Sequence, residues 1–131
     1  MTEKKIKLAS SIKYLLLITQ KHDEQEKKII ALFTLRTVME FSNFSYEIRV
    51  DQELIDRKIK FMINGISIPR LKIPSPGPAI YKKAYDMLEG LYEIVISTRN
   101  NKENRFLIDL KRDKVVIKNS PQKKFIDVVI D

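Results

Sequence analysis

The hydrophobic period of the chain changes near Phe44: apolar residues before it follow helical spacing, and those after it alternate almost to the C-terminus. Over Glu3–Gln20, the residues Leu8, Ile12, Leu15, Leu16 and Thr19 fall at i, i+4, i+7, i+8 and i+11, a stripe that would face a core. Asp23 offers an N-cap oxygen and Glu26, three residues on, closes a capping box. A second helix would then run to about Phe41. Its apolar residues Ile29, Ile30, Leu32, Phe33, Leu35, Val38 and Met39 cover most of the circumference, so it should be buried on more than one side. Ser42-Asn43 is its stop, and the short link at Lys21-His22 makes the pair an antiparallel helical hairpin over residues 1–44.

From Phe44 the period is two. Phe44, Tyr46, Ile48 and Val50 alternate with polar residues, and a polar turn at Gln52–Asp56 leads to Ile59, Phe61 and Ile63. Asn64-Gly65 reads as a type I′ hairpin turn that sets Ile63 opposite Ile66 and Phe61 opposite Ile68. Pro69, Pro74, Pro76 and Pro78 then impose an edge or a loop. Ala79–Leu88 fits a helix or a strand. Leu91–Thr98, Asn104–Lys111, Lys114–Lys118 and Phe125–Ile130 read as strands, with tight turns at Asn100-Asn101 and Arg112-Asp113.

These elements predict one domain over 1–131 of α+β class: an N-terminal helical hairpin packed on an antiparallel system of six to seven strands over 45–131. The strands form either a β-sandwich or one curved sheet holding the helices in its concavity. The second arrangement is similar in length and element order to the cone-shaped nuclear-transport-factor-2-like fold. That resemblance implies a curved sheet around a pocket and leaves function open.

Composition narrows the class. Over 131 residues, 44% hydrophobic and 32% charged side chains suit a globular chain rather than a disordered one. The longest apolar run, Tyr14–Ile18, is too short to span a bilayer, and no signal-peptide pattern follows Lys4, Lys5 and Lys7; the expectation is a cytoplasmic protein with no membrane partner. Zero cysteines exclude disulfides, zinc–thiolate sites and thiol nucleophiles. The net charge of +8 is spread over both halves, which favours solubility and weak attraction to polyanions.

Motifs for chemistry are few. Gly65, Gly77 and Gly90 stand alone, so no phosphate loop is present. His22, Asp23, Glu24 and Glu26 mix imidazole with carboxylates, but acids at a helix start also serve as caps, and one His without Cys leaves too few ligands for a closed metal site. Asp51, Glu53 and Asp56 could converge in a turn, without the glycine of a calcium loop. Neither catalytic residues nor a cofactor site is assigned. Lys58, Lys60, Lys111, Lys114 and Lys118 could share a basic sheet face. Tyr81-Lys82-Lys83 and Tyr85 add aromatic rings beside cations, a combination suited to unpaired bases.

Phe125, Ile126, Val128 and Ile130 put apolar side chains on both faces of the last strand, which should lie centrally or under a second subunit. The expectation is therefore a non-enzymatic interaction or oligomer-forming module, paired with itself as a homodimer or with another protein. The alternatives are a basic nucleic-acid-binding accessory protein and a curved-sheet pocket for a small molecule or an enzyme activity.

Overall fold

In the computed structural model, which describes residues 11–42, 46–68 and 76–130, every regular element is a strand. The nine are β1 Tyr14–Asp23, β2 Lys28–Phe41, β3 Glu47–Ile55, β4 Lys58–Ser67, β5 Gly77–Asp86, β6 Gly90–Thr98, β7 Glu103–Leu110, β8 Val115–Asn119 and β9 Ile126–Ile130. They form one nearly closed, barrel-like sheet in the order β8-β7-β6-β4-β3-β5-β2-β1-β9. Antiparallel ladders join β1 to β2, β2 to β5, β3 to β4, and β6 through β7 to β8. The contacts β1/β9, β3/β5 and β4/β6 are parallel.

The expected α+β fold is therefore corrected. Among the described residues there is no helix, so the helical hairpin and the likeness to the nuclear-transport-factor-2-like cone do not hold; residues 45–131 do carry seven strands, β3 to β9, but in one sheet with β1 and β2 and with parallel as well as antiparallel contacts. The region expected to hold two helices is instead a β-hairpin, registered from Tyr14↔Thr37 to Asp23↔Lys28. Its helical spacing is a by-product of strands apolar on both faces. In β2 the side chains of Ala31, Phe33 and Leu35 are buried on the inner face, while Ile30, Leu32 and Thr34 half-cover the outer one. An apolar residue at nearly every position satisfies both periods, and the β-branched Ile29, Ile30, Thr34, Thr37 and Val38 decide for strand. Asp23 does accept backbone N–H groups, from Gln25 at 3.0 Å and Glu26 at 3.3 Å, but it caps the turn of a hairpin.

Two turns also move. The strand β3 continues through Gln52 to Ile55, and the chain reverses at Asp56-Arg57. Asn64-Gly65 lies inside β4, where Arg49 pairs with Gly65 and Val50 with Ile63, leaving Asn64 as the extra residue of a β-bulge. The φ of +146° at Gly65 explains the glycine there. Ala79–Leu88 resolves as strand over most of its length. Residues 1–10, the end of the expected second helix at Asn43, the strand start at Phe44, and Pro69 and Pro74 lie outside the described residues.

Inward-facing residues of all nine strands fill a single core. Phe33, Phe61, Phe106, Leu16, Ile18, Ile94, Ile96 and Ile126 are almost fully buried within it. Phe33 sits 5.7 Å from both the Phe61 and the Tyr85 rings. The barrel is thus packed with side chains rather than hollow.

Local repairs keep its irregular places bonded. At the register shift between β2 and β5 the Thr37 hydroxyl accepts the Ala79 N–H at 2.9 Å and donates to the Met39 carbonyl at 2.7 Å. Across the seam at β9, the buried Asn104 of β7 accepts from Phe125 N at 2.9 Å and donates to the Lys123 carbonyl at 3.0 Å.

Phe33→Ala should cost about 3–5 kcal/mol in denaturant unfolding, since it removes a ring from the centre of this core. Gly65→Val should cost on the order of 1 kcal/mol or more, through backbone strain alone. No side chain lies within 4 Å of a Cβ built there. A wild-type unfolding midpoint for Gly65→Val would mean that the bulge is absent.

Candidate functional site

Three places on the barrel bring chemistry-bearing residues together. The first is a groove of about 490 Å³ on the outer face of β3, β4, β6 and β7, lined by Glu53, Lys58, Lys60, Glu93 and Arg105. Strand alternation turns these side chains outward, and register sets Lys60 beside Val95 and Val95 beside Arg105. Val95, set between Lys60 and Arg105, is buried. Charges of opposite sign alternate here: Glu93 accepts from Arg105 at 3.3 Å and lies 3.5 Å from Lys58, while Glu103 holds Arg105 at 3.1 Å. At one end the Arg57 guanidinium donates to the Glu89 carbonyl at 2.5 Å and lies over the Tyr92 ring at 5.0 Å. Gly90 leaves room for it, because a Cβ there would stand 3.0 Å from Arg57 Nη1.

The second place is the junction of β3 and β5. Their ladder has one registered pair, Glu47↔Ile80, after which the two parallel strands run on without pairing. The opening is bridged by side chains: the Tyr85 hydroxyl donates to Gln52 Oε1 at 2.5 Å. Tyr81, Lys83 and Tyr85 share the inward parity of β5. Lys83 is half-buried, and its ammonium lies 5.5 Å from the Tyr85 ring centre. Tyr81 packs its ring 6.3 Å from that of Phe61. Burial pushes the Tyr85 phenol up to about 12, with Tyr81 beside it as the lesser cause, and burial also raises Tyr81.

The third place is the open end of the sheet at β9. Phe125, Ile126 and Val128 are buried in the chain's own core, and Ile130, of the same inward parity, remains 39% exposed. Among the described residues β9 pairs only with β1, so the last strand is terminal in the sheet rather than central.

The basic residues singled out in the sequence are thus divided. Lys58 and Lys60 stand in the mixed-charge groove. Lys111 and Lys114 flank the β7–β8 turn, where Lys111 lies 3.8 Å from Asp109, and Lys118 is exposed on β8. Three strand spacings, roughly 14 Å, separate β4 from β8. On β5, Lys82 points outward and exposed, whereas the neighbouring tyrosines point into the barrel. The acids Asp51, Glu53 and Asp56 do not converge: Asp51 accepts from Asn64 Nδ2 at 2.7 Å, and Asp56 forms the β3–β4 turn with φ +54°. No group of three or more metal-ligating side chains occurs among the described residues, and no helix there is long and apolar enough to cross a membrane.

Sequence reasoning missed the polar residues that organise these places. Gln20, Gln52 and Asn104 each occupy the inward parity of an otherwise apolar strand, and that break in the alternation is a signal the sequence itself carries. Gln20 donates to the Leu88 carbonyl at 2.8 Å, tying β1 to the β5–β6 link.

The tyrosine cluster yields a pH prediction. A phenol ionises near 10 in an unfolded chain, and Tyr85 binds its proton more tightly when folded. Its stabilising contribution is whole below about pH 10 and is lost as pH rises towards 12. The stability difference between the wild type and Tyr85→Phe should narrow over that window in denaturant titrations. A constant difference would contradict the placement of the phenol.

Comparison with known proteins finds no matching family model, no matching curated protein and no matching solved structure.

Proposed function

We propose that this protein is a non-enzymatic interaction module that recognises other polypeptides through the unpaired strand edges of its barrel. One observation carries the reading: a sheet of nine strands approaches closure yet leaves edges open at β9 and between β3 and β5. Unpaired edges present backbone donors and acceptors in the geometry of a strand, and this is the surface that strand addition uses. The cytoplasm is the compartment proposed for it, where a cysteine-free chain has no disulfide to form.

The first partner proposed is a second copy. At β9 the apolar area of Phe125, Ile126 and Val128 is spent inside the chain, so a homodimer would use the strand edge and Ile130. A two-fold axis would set the two β9 strands side by side. The second reading, a basic nucleic-acid-binding accessory protein, draws on the net charge of +8. The interleaving of Lys58, Lys60 and Arg105 with Glu93 and Glu103 favours the interaction module over it.

Light scattering at micromolar concentration should give a mass of about 31 kDa, twice the 15.4 kDa of the chain. Ile130→Lys should restore the single-chain mass while the thermal melt stays cooperative, because the side chain is already partly exposed. A single-chain mass for the wild type would overturn the homodimer. An oligonucleotide bound tightly at low salt and released steeply as salt rises would favour the second reading.

A further inference from the structure

At the opening between β3 and β5 two strand edges running in the same direction face each other. The Ile80 amide reaches the Tyr46 carbonyl at 3.4 Å, so the even-numbered backbone groups of β5 point towards β3. By alternation the N–H and C=O groups of Lys82, Ala84 and Asp86 do the same, and those of Val50, Gln52 and Leu54 point back from β3. Neither set is in a ladder between the two strands, since their pairing ends at Glu47↔Ile80. Except for the half-buried Val50, these six residues are exposed to solvent.

The charges around this opening are unequal. On its outer rim Glu53 stands opposite Lys60 in register, Asp51 takes the Asn64 amide, and Asp86 pairs with Lys28 at 3.0 Å. On the inner side Lys83 is half-buried and has the Tyr85 ring beside it, and among the described residues no carboxylate lies within ion-pair distance of it. Gln52, Tyr81 and Tyr85 share that inner side. A cation at the end of a half-buried side chain, with no carboxylate in ion-pair distance among the described residues, is suited to an anion brought by a ligand.

We propose that the gap between β3 and β5 is a receptor for one extended peptide strand, which completes the sheet and places an acidic side chain inward against Lys83. The peptide would be antiparallel to both strands, would take the place of the Tyr85–Gln52 hydrogen bond that spans the interval, and would hydrogen-bond to an edge on either side, with alternate residues on the inner side of the sheet beside Lys83. This inference rests on the reading of the protein as an edge-binding module. It names a different edge and a different partner from the homodimer, so either can fail alone.

The test uses the full chain and a fluorescein-labelled seven-residue peptide of alternating threonine and valine with glutamate at its centre. Anisotropy should show saturable binding, weakened at least tenfold when the central glutamate is replaced by lysine. Methylating alternate backbone nitrogens of the peptide should weaken it by a similar factor, because that removes the edge donors while keeping every side chain. Lys83→Met should abolish the preference for glutamate over lysine while its thermal melt stays cooperative. Amide chemical shifts should move at Val50–Leu54 and Lys82–Asp86.

Failure of the glutamate peptide to saturate up to millimolar concentration would overturn the proposal. So would indifference to backbone methylation, which would mark a site for a free carboxylate. Shifts confined to β8 and β9 would also overturn it, while leaving the edge-binding reading intact.

Discussion

The Asn104 side chain makes hydrogen bonds to four backbone groups: it donates to the carbonyls of Glu103 and Lys123 and accepts from the amides of Phe125 and Ile126. All four lie at the seam where the two ends of the sheet meet. Strand β9 pairs with β1 at one end of the strand order, and Asn104 holds the start of β9 to β7 near the other. A buried amide satisfied at both its oxygen and its nitrogen draws the barrel closed at the start of β9, while the edge of β9 beyond it has no ladder partner among the described residues. Leaving buried backbone groups unpaired there would cost about 1–3 kcal/mol for each. The single core follows from that closure, because β1, β9 and β7 then surround the same apolar interior.

The sheet has a second opening, between β3 and β5. Parallel contacts at β4/β6 and β1/β9 carry several registered residues each, but β3/β5 carries one. The hairpin of β3 and β4 leans with β6, and Arg57 ties its tip to the Glu89 carbonyl and the Tyr92 ring on that side. β5 is held by its long ladder to β2. The two halves of the barrel therefore diverge between β3 and β5, and only the Tyr85–Gln52 hydrogen bond spans the interval beyond the first pair among the described residues. Tyrosine and lysine side chains that read as a stacking platform in the sequence become the inner wall of that interval.

The strand at Asn104–Lys111 was legible because it alternates cleanly: Phe106, Ile108 and Leu110 are buried, and Arg105 and Leu107 are not. The residues of β1 and β2 were not, and the reason is physical. β1 and β2 carry apolar residues on both faces, so period two and period 3.6 are both satisfied and spacing cannot separate them. The weight of β-branched residues was the signal that could have decided. Asn64-Gly65 misled for a related reason, since a bulge and a tight turn both call for glycine. Of the candidate sites, the sequence grouped Tyr81, Lys82, Lys83 and Tyr85, and only the strand parity of β5 separates Lys82 from the other three. It could not show that β3 would come beside β5, because strand order is set by closure of the whole sheet.

Residue-resolved native-state amide exchange tests this account most directly. The Phe125 and Ile126 amides, held by Asn104, should exchange as slowly as the central amides of β6. The gap-facing amides of Gln52, Leu54, Lys82 and Ala84 should exchange orders of magnitude faster in the same free protein. Fast exchange at Phe125, or protection of the gap amides equal to that of β6, would contradict a barrel latched at β9 and open between β3 and β5.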